Sequence, residues 1–171
     1  MTTMMLIPEV EPAHVLIEQG HPEHDAAAEA LWKTTGVRPR TQGDPTVRLV
    51  ACDSRTHEFL GVADYFRTFP PEDALGAVAV VPEQRHRGIG ADLLRALART
   101  ALRNGKRNLA GFMREDDVAA WHLLRAAAIP VRLYNVQGGL YYELDLVPLL
   151  RREASDASPY GAPLPRRETS I

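Results

Sequence analysis

The segment Arg85-His86-Arg87-Gly88-Ile89-Gly90 brings two guanidinium groups, an imidazole and two glycines into six residues. It follows an apolar run, Ala74 to Val81, and precedes Leu93, Leu94, Leu97, Ala98, Ala101 and Leu102, which recur at helical spacing. A buried strand, a tight basic turn and an amphipathic helix in that order make an anion site. The first N–H groups of the helix have no intrahelical acceptor, and the helix dipole places positive charge at the same end. Glycines let a phosphate approach the backbone closely, and Arg85 and Arg87 add charge beside it.

Spacing separates the phosphate sites such a turn could build. A dinucleotide fingerprint needs a third glycine where this chain has Leu93, and an acidic residue closing the next strand. A P-loop needs Gly-Lys-Ser/Thr, whereas Gly90 is followed by Ala91-Asp92. Neither fits.

Read from Val80 to Gly90, the pattern Val-x-Pro-x-x-Arg-x-x-Gly-x-Gly resembles motif A of the GNAT superfamily of N-acetyltransferases. The resemblance implies acetyl-CoA as co-substrate and direct attack of a primary amine on its thioester. The acceptor would be a protein lysine or a small-molecule amine. It also implies that strands Ala74–Val81 and Asn108–Met113 splay to leave a slot for pantetheine. Backbone groups of Val80 and Val81 would bind that arm, and the Val81 N–H would hold the oxyanion. Gln84, Arg85, His86, Arg87, Gly88, Ile89, Gly90 and Ala91 would surround the pyrophosphate.

A second segment, MREDDVAAWHLLRAAAIPV, resembles the family's Asn-x-x-Ala-x-x-Leu-Tyr-x-x-x-Gly-Phe stretch, with Asp117 at the asparagine and so among the cofactor-binding residues. Leu124 stands where many members carry the tyrosine that protonates the departing thiolate. That loss resembles the bacterial protein-lysine acetyltransferases, in which a glutamate early on the motif A strand is the base. Direct spacing puts Leu75 near that place, so Glu72 and Asp73, just before the strand, are the candidate catalytic acids. His122 is another candidate. A catalytically weak acyl-CoA-binding regulatory module is the alternative to an enzyme, and scaffolding through the tail is a third reading.

His21 and His24 lack the helical pair spacing and the nearby cysteines of a strong metal site, so no metal is expected. Cys52, the single cysteine, lies in an apolar stretch and reads as a buried structural thiol. Trp32 and Trp121 read as packing residues.

These residues need a scaffold, and the order of elements supplies one. Residues 1–12 read as a flexible leader, 13–148 as the domain and 149–171 as a disordered tail rich in proline, arginine and small polar residues. Within the domain the pattern predicts a strand near His14–Glu18 and a helix capped by Asp25 and stopped by Gly36. A loop over 37–45 follows, then strands Thr46–Cys52 and Glu58–Thr68 joined by Asp53-Ser54-Arg55. The run Ala74 to Val81 reads as a central strand buried on both faces. After the turn come the amphipathic helix stopped at Gly105, the strand Asn108–Met113 and a helix capped by Asp116 or Asp117. A hairpin of Val131–Tyr134 and Leu140–Leu146 closes the domain. With the resemblance, the expected fold class is α+β (α/β), a single GNAT-like domain with a mixed, mostly antiparallel sheet of about six to seven strands flanked by helices.

At 171 residues the chain suits one domain, and 45% hydrophobic with 25% charged residues excludes disordered and membrane-spanning classes. A net charge of -2 gives no reason to expect nucleic acid. No run approaches the roughly 20 apolar residues a bilayer span needs, so no membrane partner is expected. With no basic start in MTTMMLIPEV, the expected location is cytoplasmic. A monomer or homodimer is expected.

Overall fold

The computed structural model describes residues 14–36 and 43–156. In chain order the elements are β1 (Val15–Gln19), α1 (Pro22–Thr35), β2 (Val47–Asp53), β3 (Phe59–Arg67), β4 (Asp73–Val80), α2 (Ile89–Arg103), β5 (Asn108–Met113), α3 (Val118–Ala127), β6 (Val131–Val136), β7 (Gly139–Asp145) and α4 (Val147–Asp156). The strands form one sheet in the order β1-β2-β3-β4-β5-β7-β6. Every neighbouring pair is antiparallel except β4 and β5.

Amphipathic periodicity decides which helix covers which face. Ile89, Leu93, Leu94, Leu97, Ala98 and Ala101 give α2 an apolar stripe, and it packs with α3 on Leu49, Ala51, Tyr65, Leu109 and Leu144. Each leucine buried there is worth about 1.5–3 kcal/mol of transfer free energy. On the opposite face α1 lays Ala28, Leu31 and Trp32 on Val50, Cys52, Val62, Ala77 and Ala79. One charge is sealed into this second layer: Asp64, fully buried, accepts from Arg48 Nε at 2.9 Å, Arg48 Nη2 at 2.8 Å and Trp32 Nε1 at 3.1 Å. The same guanidinium reaches Asp25 at 2.9 Å and Glu29 at 3.1 Å, tying α1 to the sheet.

The feature that positions the site is a break in pairing. β4 and β5 pair only at Asp73↔Asn108, Ala74↔Leu109 and Leu75↔Ala110. Past that point β4 stays zipped to β3 as far as Val80↔Gly61, and β5 stays zipped to β7 as far as Met113↔Leu140. The sheet therefore forks between Gly76–Val80 and Gly111–Met113, which is the splay the resemblance implies. The fork also revises the expectation of a strand buried on both faces. Ala74, Gly76, Ala77 and Ala79 are buried, but Leu75, Val78 and Val80 are only half-buried because β4 has lost a neighbour along one edge.

Three local expectations change. α1 begins at Pro22 rather than after Asp25, because proline fits the first helical turn and His24 Nδ1 accepts the His21 N–H at 3.2 Å; Asp25 is left to bind Arg48. The β6–β7 hairpin turns on Gln137-Gly138, with Gly138 at φ +90°, instead of a five-residue loop. The tail expected from residue 149 gives way to α4, which runs to Asp156. Asp145 Oδ1 receives the Val147 N–H at 3.0 Å and Leu149 packs on the core. The leader, residues 37–42 of the loop and everything after Asp156 lie outside the described residues.

Candidate active site

Val80 ends β4, a single 3-10 turn spans Pro82–Gln84, and α2 begins at Ile89. Between them His86 takes φ +62° and Gly88 φ +81°, so the backbone curls and turns successive N–H groups to one side. The first helical bond runs from Asp92 N–H to the Gly88 carbonyl at 3.1 Å. The N–H groups of His86, Arg87, Gly88, Ile89, Gly90 and Ala91 meet no acceptor among the described residues. Six free donors at a helix start form a cradle for an anion. Arg85 and Arg87 are exposed beside it; Arg85 Nε donates to the Val80 carbonyl at 3.2 Å, and Arg87 contacts the Gln84 side chain. Ile89 and Ala91 contribute only backbone, since their side chains are buried. Gly90 lets α2 sit close, for a Cβ there would lie 3.2 Å from Leu123 and 3.5 Å from Val80.

Val81 does not offer the groups expected of it. Its N–H donates to the Leu60 carbonyl and its carbonyl accepts the Gln84 N–H, both at 2.9 Å. Successive residues of a strand turn their N–H groups to opposite edges. With Val81 turned to β3, Val80 and Val78 point theirs into the fork. Asp117 is likewise committed, because its Oδ1 caps α3 by accepting the Ala120 N–H at 2.9 Å.

The two candidate acids separate. Glu72 is exposed and precedes the strand, and among the described residues only its backbone carbonyl is engaged, by the Arg107 N–H. Asp73 is half-buried, accepts from Asn108 Nδ2 at 2.8 Å and shares a face of β4 with Leu75. His122 is exposed on α3, and Leu124 is core.

Tyr142 carries no signal of a site in the sequence, and only the fold brings it there. This residue pairs with Gly111, the first residue past the last β4–β5 pair, and its ring end lies over the glycine. A Cβ at Gly111 would stand 2.2 Å from the Tyr142 oxygen. The phenol is thus held at the fork, with no hydrogen-bond partner among the described residues, and burial pushes it up to about 12. A glycine inside a strand signals such a close approach, but not by which residue. On the other face the rings of Phe112 and Tyr141 meet at a tilt with centroids 5.1 Å apart, and those of Tyr141 and Tyr134 at 5.9 Å. Glu143, paired with Arg132 at 2.8 Å, and Asp73 border this floor; burial first, then Glu143 and Asp73, raise the Tyr141 phenol.

Farther along that face the fold brings His24, which has no cysteine near it along the chain, up to Cys52. Cys52 Sγ is 3.9 Å from His24 Nε2. The thiol is buried, as expected, and burial followed by Glu18 and Glu23 pushes it up, against the low value a nucleophile needs.

A parallel strand pair that forks beside a cradle of free N–H groups is the architecture of an acyl-CoA-dependent transferase. The chain belongs to the Acetyltransferase (GNAT) family, which it matches over residues 16–128. It is an acyltransferase, and acetyl-CoA is the family's co-substrate. Its fold is similar to a GCN5-related N-acetyltransferase from Kribbella flavida, at 17% identity and a TM-score of 0.64 over 77% of this chain and 97% of that one. A spermidine N-acetyltransferase from Vibrio cholerae aligns at 9% identity and 0.65, covering 82% and 98% of the two chains. Diaminobutyrate acetyltransferase from Paenibacillus lautus, in complex with L-2,4-diaminobutyric acid and coenzyme A, aligns at 18% and 0.60, covering 78% and 96%. A search of curated proteins finds no match.

Proposed function

We propose that this chain moves the acetyl group of acetyl-CoA to a primary amine on a cationic acceptor. The observation that carries this reading is the end of β4–β5 pairing at Leu75↔Ala110 beside six unengaged N–H groups. The diphosphate sits on residues 86–91 with Arg85 and Arg87 alongside. Pantetheine runs along the open edge of β4, bonding Val80 and Val78 as an added strand would. The thioester then reaches the fork at Gly111.

Amine acetylation needs a neutral nucleophile, a stabilised oxyanion and a proton for sulfur. Asp73 takes the proton of the ammonium, directly or through one water. The nitrogen lone pair attacks the carbonyl carbon, and a β4 N–H freed by the fork holds the oxyanion. Collapse breaks the C–S bond, Tyr142 gives its proton to the departing thiolate, and the second proton, shed by the nitrogen as the neutral amide forms, restores the phenol. The carboxylate of Asp73 and the rings of Phe112, Tyr141 and Tyr134 favour a cation, through charge and the negative ring faces. Acceptors with more than one amine, such as those named for the Vibrio and Paenibacillus enzymes, have this chemistry, and so does a protein lysine.

Following free thiol while acetyl-CoA is offered to di- and polyamines and lysine peptides tests the reading. Asp73→Asn is expected to lower kcat/KM by about 10²–10³-fold, the usual worth of a general base, while Glu72→Gln stays within about twofold. A loss in Glu72→Gln equal to that in Asp73→Asn contradicts the assignment. Cofactor binding without turnover on any amine would favour a CoA-binding regulatory module.

A further inference from the structure

Three elements meet at a cluster the transfer reaction does not use. Glu18 on β1, His24 in the first turn of α1 and Cys52 on β2 each offer a ligand atom, and these atoms all lie within 4.8 Å of one another. They border a cavity of about 400 Å³ that Glu23 and His57 also line. We propose that Glu18, His24 and Cys52 bind a borderline-soft divalent cation of the Zn²⁺ class, with the fourth position open to the cavity.

Donor chemistry selects the metal. One sulfur, one imidazole nitrogen and one carboxylate oxygen suit zinc, and an all-oxygen set for calcium or magnesium is absent from the cluster. Geometry is close to what is needed. Tetrahedral bonds of about 2.3 Å to sulfur and 2.0 Å to nitrogen put those two ligands roughly 3.5 Å apart, and Cys52 Sγ and His24 Nε2 stand at 3.9 Å. Charge balances as well: the metal replaces the thiol proton, which leaves to solvent, so a dication faces one thiolate and one carboxylate. The scaffold is stiff, because Cys52 is buried in the β2 strand, while His24 and Glu18 stand half-buried at the cavity wall.

The contact at His24 also shows what must move on ligation. His24 Nδ1 accepts the His21 N–H, so ligation through Nε2 transfers the ring proton to Nδ1 and opens that contact. The His21 amide is therefore a reporter at the N-terminus of α1. A bound ion would brace α1 against β1 and β2, at the opposite end of the cluster Trp32 and Asp64 already fasten.

Titrating the full chain with Co²⁺ in place of zinc tests the proposal. The expected result is one equivalent bound, with tetrahedral visible bands and a near-ultraviolet thiolate-to-cobalt band, all displaced by Zn²⁺, and a shift of the His21 amide resonance. Cys52→Ser removes the thiolate band, while Glu18→Gln and His24→Gln, at half-buried positions that leave the core intact, weaken binding at least about tenfold. Visible bands without a thiolate band mean cobalt on other histidines and overturn the site. So does a thiolate band unmoved by Glu18→Gln and His24→Gln. Neither result bears on acetyl transfer, which uses none of these residues.

Discussion

Tyr142→Phe is expected to lower kcat by about 10²-fold while leaving acetyl-CoA affinity within about twofold, because only the proton for the leaving thiolate is removed. The ring keeps its place over Gly111, so pantetheine still meets the same wall. Burial pushes this phenol up to about 12, so it holds its proton at every working pH and adds no alkaline limb near neutrality. The same shift bears on stability. The folded state binds the phenolic proton more tightly than the unfolded chain, whose tyrosine titrates near 10. That stabilisation is complete below pH 10 and is lost as pH climbs through 12. Urea midpoints measured from pH 8 to 11 should fall less steeply for Tyr142→Phe than for the natural chain. Full turnover in the variant would reduce Tyr142 to a packing residue.

Arg48→Met should be the most destabilising of the changes considered, at about 3–5 kcal/mol. Asp64 is fully buried, and among the described residues Arg48 supplies two of its three donors; without them a carboxylate is left sealed beneath α1 with Trp32 Nε1 as its remaining donor there. Asp64 holds the guanidinium pKa well above its ordinary value, with Glu29 and Asp25 adding smaller effects. Replacing both members, Arg48→Met with Asp64→Leu, should recover much of the loss, since an apolar pair does not strand a charge. Chemical denaturation of both variants checks this. A single variant no less stable than the double would show that the pair contributes little.

What could be read from the chain was mostly local. The α2 stripe, the Asn108–Met113 strand and the glycine turn are encoded within a dozen residues each, by apolar period and by glycines where the backbone turns positive. The family resemblance added the fork, which no periodicity reveals. Non-local features escaped. Tyr142 reaches the site only because β7 pairs with β5 in a register that sets it on Gly111. His24 and Cys52 are 28 positions apart and meet because α1 folds back over β2. Val81 was assigned as a donor by position in a motif, whereas strand alternation commits its N–H to Leu60. Helix α4 was missed because only Val147, Leu149 and Leu150 give it an apolar side before a polar stretch.

The central claim is that the turn from His86 to Ala91 holds the diphosphate of coenzyme A, and calorimetric titration of CoA into the natural chain and into Gly88→Val tests it most directly. Gly88 sits at φ +81°, where a β-branched residue is strained by about 1–2 kcal/mol, yet a Cβ there would meet nothing within 4 Å. The substitution should therefore uncurl the cradle without jamming the core. The natural chain should bind one equivalent of CoA and Gly88→Val should bind it at least about tenfold more weakly, with the unfolding midpoint little changed. Equal affinity in the two proteins would contradict the claim.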